Sequence, residues 1–383
     1  MAADLTAGAG AAGAGAAGMT SAGLRPASAA GPGAVAWRPD ARARAWLAAT
    51  ALVTAGAIGA AIALAPPAGA SPSRALAWLL FTGSSVHVAS TGWFYTQREV
   101  RAHMRERRVR YLWVPLGLIA GAAALAFLLT PSALQWLLLG YFGWQFFHYQ
   151  KQNLGLAALA ASASRAGPLS RGERRALLAA GIAGIGGLLG HPGLLQLAVR
   201  PSLGVLFPVS AAGFAVAAGC GIAIFARRPV RPPAGLWVAY LGALLFSLPV
   251  FVFGSPYAAV AGMTVAHGLQ YLLLMGLVAG GSPGDSLPSV GGCARRPGER
   301  GIGRLLPVAV LANVALIGGA LLSASSHLHG AAPAGRLVYG CYLGLVMSHF
   351  VVDAGLWRMR DPFPRSFLGA RLPYLLLRSR VTP

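Results

Sequence analysis

Along most of the chain the apolar residues continue for about twenty positions at a time, the length at which a helix crosses the hydrocarbon of a bilayer. Ten such stretches are read: 45–66, 75–96, 111–130, 133–160, 176–194, 203–226, 234–254, 257–280, 305–326 and 337–359. The fifth is the weakest, because Gly186, Gly187, Gly190 and Pro192 interrupt it. Residues 1–44 show no apolar period and are rich in Ala and Gly, so a disordered cytoplasmic tail is expected there. They lack the basic start and compact apolar segment of a cleavable signal peptide. Residues 45–360 are expected to form the transmembrane domain, and 361–383 a basic cytoplasmic tail. The predicted fold is all-α, a polytopic membrane helix bundle of about ten transmembrane helices.

Composition excludes a water-soluble enzyme. Of 383 residues, 56% are hydrophobic and 10% charged, where a soluble domain carries about 25% charged residues. The net charge of +22 would fit a nucleic-acid binder, but the placement of the basic residues fits topology better. With the connections assigned alternately to two sides, twenty-seven arginines fall on the side of the N-terminus. Only Arg74, Arg200 and Arg336 fall on the other. This asymmetry predicts ten spans with both termini cytoplasmic, the lipid bilayer as partner and no nucleic acid. A bacterial cytoplasmic membrane is the expected location. Cys220, Cys293 and Cys341 are too scattered for a disulfide framework or a thiolate metal site.

Polar residues inside the spans carry the candidate chemistry, since ionisable groups in a bilayer are costly and tend to be functional. His87, His148, His267 and His349 lie in the second, fourth, eighth and tenth stretches, all predicted to run in the same direction. His87 lies eleven residues before Arg98 and His349 nine before Arg358. At about 1.5 Å per residue these two sit at nearly one depth, and His148 and His267 are compatible with the same level. A polar residue follows each histidine by four, on the same helix face: Thr91, Gln152, Tyr271 and Asp353. Gln145 and Gln270 add hydrogen-bonding groups. Thr91, Gln145, Gln152 and Gln270 are therefore expected to orient metal-bound imidazoles. Lys151 and Asp353 are the charged residues well inside spans, and the cost of burying either alone predicts that both face the interior. His103, in the Arg-rich loop, is expected to be solvated, and His191, His327 and His329 are weaker candidates.

An imidazole-rich site suits iron, copper or zinc rather than magnesium or calcium. His87, His148, His267 and His349 are the expected metal ligands, with Asp353, Lys151 and Tyr271 as candidate catalytic groups. Single histidines spread over several membrane helices make the core, roughly residues 75–360, similar in architecture to the membrane-bound bacterial β-carotene dioxygenases. That resemblance implies non-haem iron and oxygen chemistry on a small or lipophilic substrate. The chain departs from the fatty-acid desaturases and hydroxylases, whose HxxxH and HxxHH boxes it lacks. A separate electron donor is expected if the substrate is not itself the reductant. Two other readings stand beside this one. One is an electron-transfer protein with haem b held by histidine pairs. The other is a transporter with a midplane His/Lys/Asp site.

Overall fold

The computed structural model describes residues 41–67, 70–199, 204–281 and 297–376, and the description that follows is confined to them. They contain helices and no strand. The expected tail at 1–40 lies outside the described residues, and α1 (Ala41–Ala63) already begins within the last four residues assigned to it. The second stretch is a helix of changing pitch. It runs from α2 (Arg74–Leu80) through a π-helical segment (Phe81–Val86) and α3 (His87–Ser90) to a 3-10 segment (Thr91–Thr96). A short amphipathic α4 (Arg98–Glu106) follows. Next come α5 (Val114–Leu128), the long α6 (Pro131–Ala163), α7 (Arg171–Gly190) and α8 (Leu206–Ala226). The seventh stretch is broken into α9 (Ala234–Leu244) and α10 (Leu248–Val252). The remainder comprises α11 (Gly262–Gly280), α12 (Pro297–Ser326), α13 (Pro333–Leu356) and α14 (Pro362–Arg371).

Local chemistry fixes several helix starts. The Ser73 and Thr130 hydroxyls accept from the amides of Leu76 and Ala133, and Pro131 and Pro333 occupy first-turn positions where a missing N–H costs nothing. Six helical segments are long and apolar enough to cross a membrane: Ala41–Ala63, Val109–Leu128, Leu206–Ala226, Tyr257–Gly280, Leu305–Gly330 and Pro333–Leu356. Their outward surfaces are apolar. Val209 and Val216 on α8, and Ile317 and Leu321 on α12, are all more than half exposed. Such a surface is an aggregation hazard in water and a fitting one in lipid. The molecule is thus built as an integral membrane protein around α11, which is buried on nearly all sides.

Small residues bring the helices together where apolar attraction between them is weak. Gly340 and Gly344, one turn apart on α13, let it lie against the backbone of α5 at Ala122 and Ile119. Gly268 on α11 meets the Gly83 carbonyl within the π-helical segment, and a Cβ there would overlap that carbonyl. The side chains of Thr82 and Ser84 bond back to the carbonyls of Leu79 and Leu80, competing with the regular helix ladder just where the pitch changes.

Two features near the helix ends differ from expectation. Residues after 361 form more than a basic tail. In α14, Phe367 and Leu368 are buried, as are Leu372 and Leu375 beyond it, and Arg371 stacks on Phe367 at 3.8 Å. His103 is buried rather than solvated, lying face to face with Phe363 at 4.1 Å, because α14 covers α4.

Ahead of the apolar part of α7, Ser170 and Glu173 form a reciprocal cap. Glu173 also takes two hydrogen bonds from Arg228, at 2.6 and 2.7 Å, with its side chain 1% exposed. Burial pushes the Glu173 pKa up, but the bonds from Arg228 and the Ser170 amide outweigh it and hold the carboxyl below its ordinary 4.5. A depressed pKa contributes stability that is complete above the ordinary value and lost as pH falls through the lowered one. Glu173→Gln is therefore expected to cost about 3 kcal/mol at neutral pH, because it leaves a buried guanidinium without its counter-charge. In thermal melts of detergent-purified protein the gap to wild type should close on acidification below the carboxylate range. A gap independent of pH would refute the assignment.

Candidate metal centre

Four helical segments each deliver one histidine to the interior. His87 stands where the π-helical segment returns to α-pitch, His148 in the middle of α6, His267 in α11 and His349 in the last third of α13. Their rings form a closed quadrilateral. The centroid distances are 4.9 Å for His87–His267, 5.2 Å for His267–His148, 5.2 Å for His148–His349 and 5.2 Å for His349–His87. Every side is an edge-to-face contact. His87, His267 and His349 are 1–4% exposed, and His148 is half-buried with its Nε2 sealed from solvent. The convergence predicted from depth and helix direction is therefore present.

The ring nitrogens are arranged so that they could hold a metal ion. Six of them have no hydrogen-bond partner although they are buried: both nitrogens of His87 and of His267, and Nε2 of His148 and His349. Each unpaired buried polar atom costs about 1–3 kcal/mol, so six in one place call for an occupant. Two overlapping triads bring ligand atoms within 4.8 Å of one another, His87/His267/His349 and His148/His349/Asp353. That span is slightly wider than about 4 Å, twice an ordinary metal–nitrogen bond, so small ring adjustments suffice to close on an ion. A donor set of imidazoles and one carboxylate fits a first-row transition metal.

One side of the quadrilateral is closed by a hydrogen-bonded cluster. Tyr271 Oη donates to Asp353 Oδ1 at 2.9 Å, and Thr91 Oγ1 lies 2.9 Å from Tyr271 Oη and 2.6 Å from His349 Nδ1. The second carboxylate oxygen of Asp353 lies 3.7 Å from His349 Nε2. With His349 Nδ1–H donating to Thr91, Nε2 is left as the ligand atom. Thr91, expected to orient an imidazole, meets that of His349 on α13. It follows His87 by four residues at the onset of the 3-10 segment, from where its hydroxyl reaches α13.

The remaining expected residues separate clearly. Gln152 donates to the His267 backbone carbonyl at 3.0 Å and lies 3.5 Å from Gln270 Oε1, while Gln270 donates to Thr54 on α1 at 2.8 Å. Both tie helices together around the site without reaching an imidazole nitrogen. Gln145 donates to Tyr149 Oη. Lys151 is a correction. It is exposed, on the stripe of α6 that also carries the exposed Trp144 and Phe147, and it does not meet Asp353. His191, His327 and His329 are exposed and apart from the site.

Two aromatic residues escaped the sequence reading. Tyr149 stacks on His267 at 3.9 Å and Phe350 on His148 at 4.5 Å, holding both rings against rotation. Each directly follows a candidate ligand in sequence, Tyr149 after His148 and Phe350 after His349, and each braces a histidine on another helix. The one available signal was the polar pair Gln145 and Tyr149, four residues apart. No protein family, curated protein or solved structure matches the chain, so the centre is defined by its own geometry.

Proposed function

We propose that this protein is an integral-membrane, metal-dependent oxygenase with non-haem iron held by His87, His148, His267 and His349. The observation that carries the reading is the closed ring of four imidazoles with six buried, unpartnered nitrogens. An iron ion with an exchangeable position supplies the binding and activation of dioxygen. The chain's own groups do the rest. Thr91 fixes the tautomer and orientation of His349, and Tyr149 and Phe350 fix the planes of His267 and His148. Asp353 sets a carboxylate beside the imidazoles and receives the Tyr271 phenol proton in a hydrogen bond, which places a proton donor–acceptor pair one helical turn from the ring. The surrounding apolar helices keep bulk water from the centre.

The topology reading accompanies this proposal: ten spans, both termini cytoplasmic, in a bacterial cytoplasmic membrane. Two helical stretches outside the six most apolar ones, 74–96 and 131–163, carry His87 and His148. Their lower apolarity follows from the polar groups that the site requires. A bare ion is favoured over haem by space. The cavity beside His87 measures about 20 Å3, whereas cofactor pockets occupy about 300–1,000 Å3. The substrate is expected to be small or lipophilic, with electrons from a separate donor. Metal analysis of detergent-purified protein, paired with a visible spectrum, tests the reading. About one iron per chain without a Soret band is expected. Stoichiometric haem, or a protein that neither contains nor takes up a transition metal, would overturn it.

A further inference from the structure

The ring has two unlike faces. Toward the C-terminal ends of α3, α11 and α13 it meets the bonded cluster of Thr91, Tyr271 and Asp353, which leaves that side filled. Beside the histidines of the second stretch, α6 and α13 lies a cavity of about 20 Å3. Ser84, Gln145 and Val346, each three residues before a ring histidine, line it, and it reaches His87 and Tyr149. Three helical segments therefore each contribute a side chain from the turn before their histidine, and Val88, Tyr149 and Phe350, directly after the same histidines, complete the wall. At slightly more than the roughly 10–15 Å3 that a single water needs, the volume holds a molecule of one or two heavy atoms. The lining contains hydroxyls, an amide and hydrocarbon, and no Lys, Arg, Asp or Glu. Within it Gln145 uses its Nε2 on Tyr149 and leaves Oε1 buried without a partner. Exchanging the two ends of the amide still leaves one polar atom unpaired, so Gln145 has hydrogen-bonding capacity turned to whatever fills the space.

We propose that the exchangeable coordination position of the centre faces this cavity and takes a neutral ligand of about two heavy atoms, hydrogen-bonded by Gln145. The inference rests on the metal reading of the ring and adds to it the ligand's size, charge and direction of approach. An anionic ligand would find no cation in the lining. A large organic substrate does not fit there and must approach from elsewhere, which assigns the cavity to the small co-reactant of an oxygenase.

Nitric oxide is the probe, added anaerobically to the iron-loaded, reduced protein and followed by the electron paramagnetic resonance signal of the ferrous nitrosyl. Wild type is expected to bind it. Val346→Phe fills the cavity from α13 and is expected to keep its iron while losing at least tenfold in nitric oxide affinity. Val346→Ala enlarges the cavity and is expected to keep iron and bind nitric oxide several-fold faster, a readout that holds if the larger side chain prevents folding. Gln145→Leu is expected to release nitric oxide about tenfold faster. Unchanged nitric oxide binding in the iron-bearing Val346 variants would overturn the proposal, as would a wild-type protein that holds iron and binds no nitric oxide. Failure of the metal reading is separately visible as absence of iron in the wild type.

Discussion

Replacing His267 by Ala is expected to lower bound metal from about one ion per chain to less than about a tenth of that, with the protein still inserted in the membrane. His267 belongs to the most buried part of the ring, and both its nitrogens lack any other partner. Loss of residues that merely orient ligands typically costs ten- to 100-fold in metal affinity, and loss of a ligand is expected to exceed that. Insertion is preserved because α11 remains apolar and long enough to span without the imidazole. Removing His349 should be equally severe, since it is shared by both triads. Lys151→Ala provides the contrast. Its side chain is exposed, so metal content should stay at the wild-type level. Metal per chain, measured on size-exclusion peaks of the three variants, checks all of this. A His267→Ala protein with full metal content would remove the ring from the centre.

The sequence disclosed the ring because arginines mark the helix ends. Arg98 and Arg358 gave two histidines a common depth, and the polar residues four positions on disclosed the cluster of Thr91, Tyr271 and Asp353. It did not disclose which edge of each helix faced inward. His349 sits mid-face, flanked by buried Ser348, Phe350 and Val352, so a step of four to Asp353 stays inside. His148 sits at the border of its buried face. At about 100° per residue, three positions rotate Lys151 roughly 60° away, onto the stripe with Trp144 and Phe147. Rotation about the helix axis is set by neighbouring helices, which a single helical pattern does not specify. The burial of His103 was hidden for a related reason. The partner that covers it, Phe363, lies about 260 residues away among arginines that suggested only a solvated tail.

The pitch change before His87 was equally hidden, and its consequence is the sharpest structural expectation. Gly268→Ala should both lower stability and empty the metal centre although it changes no ligand. A Cβ at Gly268 would lie on the Gly83 carbonyl, its carbonyl carbon and its Cα. These are backbone atoms, which have no rotamer with which to yield. Gly83 faces the same constraint against the Val265 backbone, so the contact is tight from both sides. Relief requires α11 and the π-helical segment to move apart; α11 carries His267, and the π-helical segment leads directly into His87 at the start of α3. Their rings are held at 4.9 Å, and a displacement of about an ångström is comparable with the whole tolerance of a metal site. Overpacking of this kind typically costs about 1–3 kcal/mol, and backbone contact places it at the upper end. Gly276→Ala on the same helix meets nothing within 4 Å and should be neutral, which separates local packing from helix propensity. The measurement is the melting temperature and metal content of both variants. If Gly268→Ala kept its metal and melted with the Gly276 variant, the close approach of the two backbones would not be what holds His87 and His267 together.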